Sequence, residues 1–168
     1  LPEGVVSIGK TAFQYTGITG ELKLPETLTK IDSFAFNKCK GLSGNLIIPN
    51  NVKTIGSWSF QGCLGLDGIL TLSNSLEEIG DGFMNHCSNL TNTEIIIPKS
   101  LKKIGSLEND ATHTFNNCAT NTLKEYKIEE GNEYFKTIDG VLYSNDGTRL
   151  IAYPSAKEGE EFIVPEGV

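Results

Sequence analysis

Cysteine is scarce in this chain, four residues in 168, yet Cys39, Cys63 and Cys87 stand at intervals of 24. The interval belongs to a longer register. The stretches "FNKCKGLSGNLIIP" from Phe36 and "FQGCLGLDGILTLS" from Phe60 share Phe, Cys, Gly, Leu, Gly and Leu at matched positions. Successive units open at Leu1, Leu24, Ile48, Leu72 and Ile97, with spacings of 23, 24, 24 and 25. Inside them recur Ile8, Ile31, Ile55, Ile79 and Ile104, each but Ile31 followed by glycine. A small residue and an aromatic come next: Ala12-Phe13, Ala35-Phe36 and Ser59-Phe60, with Phe83-Met84 as a departure. Thr16 takes the cysteine place in the first unit, and Gly20, Gly44 and Gly68 precede the next strand.

A unit this short cannot bury its own apolar face, so neighbours must stack and share one continuous core. Periods of about 20 to 29 residues with aliphatics at fixed offsets belong to leucine-rich solenoids. The expected fold is therefore a repeat solenoid, mainly β with short turns and 3-10 segments. Residues of one column then lie one above another, about 4.8 Å apart along the stack. Cys39, Cys63, Cys87 and Cys118 are expected to form a buried, structural thiol ladder. Disulfides suit that arrangement poorly, because side chains in one column point the same way. Zinc suits it less, since no Cys-x-x-Cys pair occurs and His86 should face away from Cys87.

Two places break the rhythm. Residues 106–114, "SLENDATHT", are an insertion read as a solvated loop, with Glu108, Asp110 and His113 as its only candidate metal ligands. Residues 138–154 contain "GVLYS" and "RLIAY" around Asn145-Asp146-Gly147-Thr148, a two-stranded hairpin signal. Val141, Tyr143, Leu150 and Ala152 are expected to alternate against Leu142, Ile151 and Tyr153. The chain ends on "PEGV", which also stands at residues 2–5. The whole of 1–168 reads as a single leucine-rich repeat domain with units beginning near 1, 24, 48, 72, 97, 128 and 164. It is expected to be a fragment of a longer array, its ends covered by further repeats or by end-to-end self-association.

The unit "IPNNVKTIGSWSFQGCLGL" resembles the BspA-type leucine-rich repeats of bacterial surface proteins. The stretch from Asn132 through "IDGVLYSNDGTRLIAYP" to "IVPEGV" resembles the hairpin insertion common in that family. The resemblance implies a right-handed superhelix, a place at the cell surface or outside the cell, and binding of proteins or host matrix. Thr16, Met84, Glu129 in a proline position and the insertion in unit five depart from the pattern.

Residues before each opening aliphatic are expected to form the parallel strand of the concave face, alternating in and out. One outward column holds Lys23, Ile47, Thr71, Ile96, Lys127 and Ile163; a second holds Glu21, Asn45, Ile69, Glu94, Glu125 and Glu161. Ile47, Ile69 and Ile96 are branched aliphatics with no core to enter, and contiguous exposed apolar patches mark interaction sites. The candidate partner-binding face is Ile47, Ile69, Thr71, Glu94, Ile96, Glu125 and Lys127. The plainer alternative is that isoleucine there only raises strand propensity.

Function classes narrow accordingly. A net charge of -7 disfavours nucleic acid. No apolar run reaches the roughly 20 residues of a membrane helix, so no membrane insertion of this segment is expected. No Gly-x-Ser-x-Gly elbow, phosphate loop or His-Glu-x-x-His occurs, and Glu94 with Glu125 would lie on an open strip with no pocket to raise one pKa. No catalytic, cofactor-binding or metal residue is expected. The expected function is a surface or secreted interaction module for a protein or glycoprotein. The alternatives are a structural spacer presenting another domain, or a glycan-binding module. For the latter, Trp58 is expected on the convex side, either partly buried or exposed at the surface near Tyr15.

Overall fold

The computed structural model describes residues 1–105, 113–159 and 161–168. The chain is a mainly β solenoid of about four turns with almost no helix. Each coil carries a two-residue strand that ends on the recurrent isoleucine. These strands, β1 (Ser7–Ile8), β3 (Lys30–Ile31), β6 (Thr54–Ile55), β8 (Glu78–Ile79) and β10 (Lys103–Ile104), form one parallel sheet in that order. Pairing runs isoleucine to isoleucine, as in Ile8 with Ile31 and Ile31 with Ile55. The five isoleucines are all buried, and each burial contributes about 1.5–3 kcal/mol.

After each isoleucine the chain turns through left-handed backbone at matched positions. Phe34, Trp58 and Gly82 form one such row, and Lys38, Gly62 and His86 another, all with φ between 58° and 68°. A side chain in that region costs about 1–2 kcal/mol. Bonds between coils offset it: Phe34 N–H donates to Ser57 O at 2.9 Å, Trp58 N–H to Asp81 O at 2.7 Å, and Lys38 N–H to Gln61 O at 2.7 Å.

The turns aim aromatic rings inward. Phe13, Phe36 and Phe60 stack with centroids 5.0 and 4.9 Å apart. The fourth unit reverses its pair. Phe83 stands on the backbone position of Ser59, and its ring meets Phe60 edge-on at 5.8 Å. Met84 fills the remaining space and is fully buried. The departure at this position thus exchanges which neighbour supplies the bulk.

The four cysteines are free and buried. Their column is also hydrogen-bonded. Cys39, Cys63 and Cys87 donate to the carbonyls of Phe13, Phe36 and Phe60, at 2.9, 3.1 and 3.0 Å. Thr16 instead bonds within its own coil, its hydroxyl donating at 2.8 Å to Phe13 O, the carbonyl that also accepts from Cys39.

The other ladder, expected to run unbroken, is split. β2 (Thr19–Glu21) pairs with β4 (Gly41–Ser43), β5 (Leu46–Ile47) with β7 (Leu70–Thr71), and β9 (Glu94–Ile97) with β11 (Glu125–Ile128). Unit arithmetic explains it. Opening aliphatic to isoleucine is constant (Leu24 to Ile31, Leu72 to Ile79), as is isoleucine to cysteine (Ile31 to Cys39, Ile79 to Cys87). Apart from the insertion between Ile104 and Cys118, length variation falls between the cysteine column and the next opening aliphatic: Thr16 to Leu24, Cys39 to Ile48, Cys87 to Ile97. Strands in that segment lose common register, and the sheet of β1, β3, β6, β8 and β10 keeps it.

The C-terminal insertion differs from a two-stranded hairpin. β12 (Phe135–Ile138), β13 (Val141–Ser144) and β14 (Leu150–Ala152) make a three-stranded antiparallel sheet. The missed strand turns at Asp139-Gly140, with φ of 48° and 71°, both in the left-handed region a tight hairpin turn demands. Along β13 the sides alternate, yet Val141, Leu142 and Tyr143 are all buried, so both faces of the strand are covered. Leu142 joins the solenoid core with Phe135 and Ile151, while Val141 and Tyr143 are covered on the opposite side. The expected loop at 106–114 lies outside the described residues except for His113 and Thr114, which open a 3-10 turn ending at Phe115.

Candidate functional site

The face carried by β5, β7, β9 and β11 places all seven residues singled out in the sequence. Ile47, Ile69 and Ile96 are 54%, 46% and 53% exposed. Ile47 lies beside Thr71 across the β5–β7 pair. Ile96 lies beside Lys127, and Glu94 beside Glu125, across β9–β11. The two glutamates are not an open acidic strip. The Lys127 ammonium sits between them, bonded to Glu94 and 3.3 Å from Glu125. The bond to Glu94 first, and then that to Glu125, raises the Lys127 pKa above its ordinary value. The apolar residues therefore flank a charge-compensated corner.

Between β7 and β9 the backbone ladder is interrupted. Asn92 stands where Gly20, Gly44 and Gly68 stand in earlier units, and Thr93 is an extra residue after it. The extra length folds the Asn92 side chain inward, where it is 8% exposed. Its amide takes over the role of a neighbouring strand. Leu70 N–H donates to Asn92 Oδ1 at 2.8 Å, and Asn92 Nδ2 donates to Leu70 O at 3.0 Å and to Glu94 O at 3.3 Å. Beyond this bridge the strands separate into a cleft of about 550 Å³. Ile69, Thr71, Glu94 and Ile96 of the expected set line it, together with Leu72, Asn74, Pro98 and Glu129. Ile47 sits one strand away; Glu125 and Lys127 sit one strand away on the other side.

Sequence reasoning missed Asn92, Thr93 and Glu129 as parts of one feature. The signal was the 25-residue spacing and the lost glycine. Glu129, in a proline position, accepts from Lys99 N–H at 2.8 Å through one carboxylate oxygen.

Other groups do not converge in this way. Among the described residues no cluster of three His, Cys, Asp or Glu side chains forms. Trp58 is half-buried; its ring lies against Gly82 and 6.5 Å from that of His113. Tyr15 is 65% exposed and faces the Lys38 ammonium at 5.2 Å. Among the described residues no helix is long and apolar enough to cross a membrane.

Comparison with known structures finds the same architecture. A leucine rich cell surface protein from Faecalibacterium prausnitzii is 29% identical, with a TM-score of 0.77 over 98% of this chain. The pneumococcal vaccine antigen PcpA is 27% identical, with a TM-score of 0.66 over 97% of this chain. A leucine rich repeat protein of T. pallidum is 26% identical, with a TM-score of 0.58 over 73% of this chain. The chain spans 40%, 45% and 51% of those proteins respectively. Comparison with curated protein sequences finds no match. Residues 6–138 match the BspA type leucine rich repeat region in six copies. With the repeat, the solenoid and these likenesses together, the chain belongs to the BspA-type leucine-rich repeat family.

Proposed function

We propose that the chain is a non-catalytic interaction module that acts at the cell surface or outside the cell and binds a protein partner through the face carrying Ile47, Ile69 and Ile96. One observation carries the reading: three branched aliphatics, each about half exposed, are grouped on one face beside a cleft. Transfer of such surface out of water is the main driving force of association. The surface setting is supported by two similar structures, one of a cell surface protein and one of a vaccine antigen.

The test is surface plasmon resonance of the chain over purified extracellular-matrix proteins. Wild type is expected to bind at least one of them. The Ile47→Glu/Ile96→Glu variant, with unchanged circular dichroism, is expected to bind at least about tenfold more weakly, a loss of roughly 1.4 kcal/mol. Unchanged binding by the folded variant refutes the face. Absence of binding to every protein in the panel favours a spacer.

A further inference from the structure

Alternate residues of a parallel strand turn both N–H and C=O toward the same neighbour. Along β9 this assignment is fixed by the β11 side: Lys124 N–H reaches Thr93 O, and Glu129 N–H reaches Ile97 O. Residues 93, 95 and 97 therefore serve β11, and residues 94 and 96 face β7. Along β7, Ile69 O and Thr71 O accept from Leu46 and Ile48 of the preceding coil. Residues 70 and 72 therefore face β9. Asn92 satisfies both backbone groups of Leu70 and the C=O of Glu94. The next groups along the gap are the Leu72 N–H and both the N–H and C=O of Ile96. Among the described residues these have no partner, and they open onto the cleft.

The geometry points to the β7–β9 cleft as a binding site for an extended peptide segment of the partner, seating one Val-, Ile- or Leu-sized side chain beside a Lys or Arg. This rests on the reading that the face binds a protein, and it names the part of the partner that enters. Three features select that occupant. First, Ile96 offers a donor and an acceptor on one residue, which an extended main chain matches reciprocally; such pairing supplies affinity while pockets for alternate side chains supply specificity. Second, Ile69, Leu72, Ile96 and Pro98 give the cleft apolar walls, and no aromatic ring lines it for a sugar to stack on. Third, Glu129 stands at the rim with one oxygen on Lys99 N–H and, among the described residues, no cation paired to it. A basic side chain of the segment completes that pair. The features arise from two departures from the repeat, the extra Thr93 and the glutamate at 129, which meet at this one place.

The experiment is a selection of random linear peptides displayed on phage against the immobilised 168-residue chain, depleted against Thr93→Trp, whose indole fills the cleft. Thr93 is exposed, so the variant retains the core. Recovered peptides are synthesised with a fluorophore and measured by anisotropy. They are expected to share an aliphatic residue next to Lys or Arg, and to bind Thr93→Trp at least about tenfold more weakly. Ile96→Pro removes the cleft-facing N–H without touching the β9–β11 ladder, a place where proline is tolerated. It is expected to bind at least about tenfold more weakly, whereas Ile96→Val changes affinity by less than about threefold. By amide exchange, Ile96 and Leu72 are expected to exchange fast in the free chain and slow on peptide binding. The inference is overturned if no peptide survives depletion, if surviving peptides bind Thr93→Trp as well as wild type, or if the Ile96 amide is already protected in the free chain. Matrix-protein binding that is lost in Ile47→Glu/Ile96→Glu but intact in Thr93→Trp leaves the face as an interaction surface and removes the peptide cleft.

Discussion

Replacing Asn92 by alanine tests whether one side-chain amide closes the broken ladder. The substitution removes three hydrogen bonds, to Leu70 N–H, Leu70 O and Glu94 O. Leu70 is 5% exposed, so its two backbone groups lose their partners in a nearly dry position. A buried backbone group left unsatisfied costs about 1–3 kcal/mol. The cleft beside it is open, and water entering there recovers part of the loss. The expected cost is therefore about 2 kcal/mol, near the low end for two groups. For a chain of this size that corresponds to a fall of about 4–8 °C in Tm. Urea unfolding followed by circular dichroism and by the fluorescence of Trp58, the sole tryptophan, measures it, provided the two probes coincide. Asn92→Asp keeps the acceptor for Leu70 N–H but turns a carboxylate toward two carbonyls, so it is expected to cost at least as much as alanine. A loss below about 0.5 kcal/mol for Asn92→Ala, the range of ordinary surface changes, refutes the argument that this amide stands in for a strand.

Three further outcomes follow from the geometry. Burial pushes the Cys87 thiol up to about 12 from an ordinary 9.0, and drives Cys63 and Cys118 in the same direction; the reactive thiolate is then far rarer at pH 8 than in a free thiol. A chromogenic thiol reagent is expected to find the four thiols only after denaturation, and rapid reaction of the native chain contradicts the buried column. A Cβ on Gly82 would fall 2.1 Å from Trp58 Cε3 at a φ of +61°, so Gly82→Ala is expected to cost about 1–3 kcal/mol and to shift Trp58 emission to the red, with Trp58→Ala/Gly82→Ala relieving the clash. The Ser144 hydroxyl, then the Thr148 N–H and hydroxyl, hold Asp146 at about 2, below its ordinary 3.8; a depressed carboxylate stabilises the folded turn above about 3.8 and loses that effect as pH falls toward 2, so protection of the Arg149 and Thr148 amides, taken relative to the intrinsic exchange rate at each pH, is expected to fall between pH 4 and 2, and unchanged protection contradicts the turn.

Much of this architecture was legible along the chain because its cause is local and periodic. An isoleucine, a turn, an aromatic and a cysteine at constant offsets can all be buried only by stacking. The thiol column, the exposed isoleucines and the family resemblance follow from that register. The hairpin strand at Phe135–Ile138 was also legible, since Asp139-Gly140 carries the same turn signal as Asp146-Gly147.

What the chain alone did not decide is where the register fails and what fills the failure. Period arithmetic shows one residue too many between Cys87 and Ile97. It does not say whether that residue bulges outward or turns a neighbour in. Folding turned Asn92 in, because its amide satisfies Leu70 and the Glu94 carbonyl where a glycine would leave them bare. The same holds for Lys127, whose position between Glu94 and Glu125 exists only once β9 and β11 lie side by side. Repetition specifies the stack, since each unit meets copies of itself. The cleft depends on departures from repetition at Asn92, Thr93 and Glu129, residues from adjacent coils that meet only in the assembled solenoid.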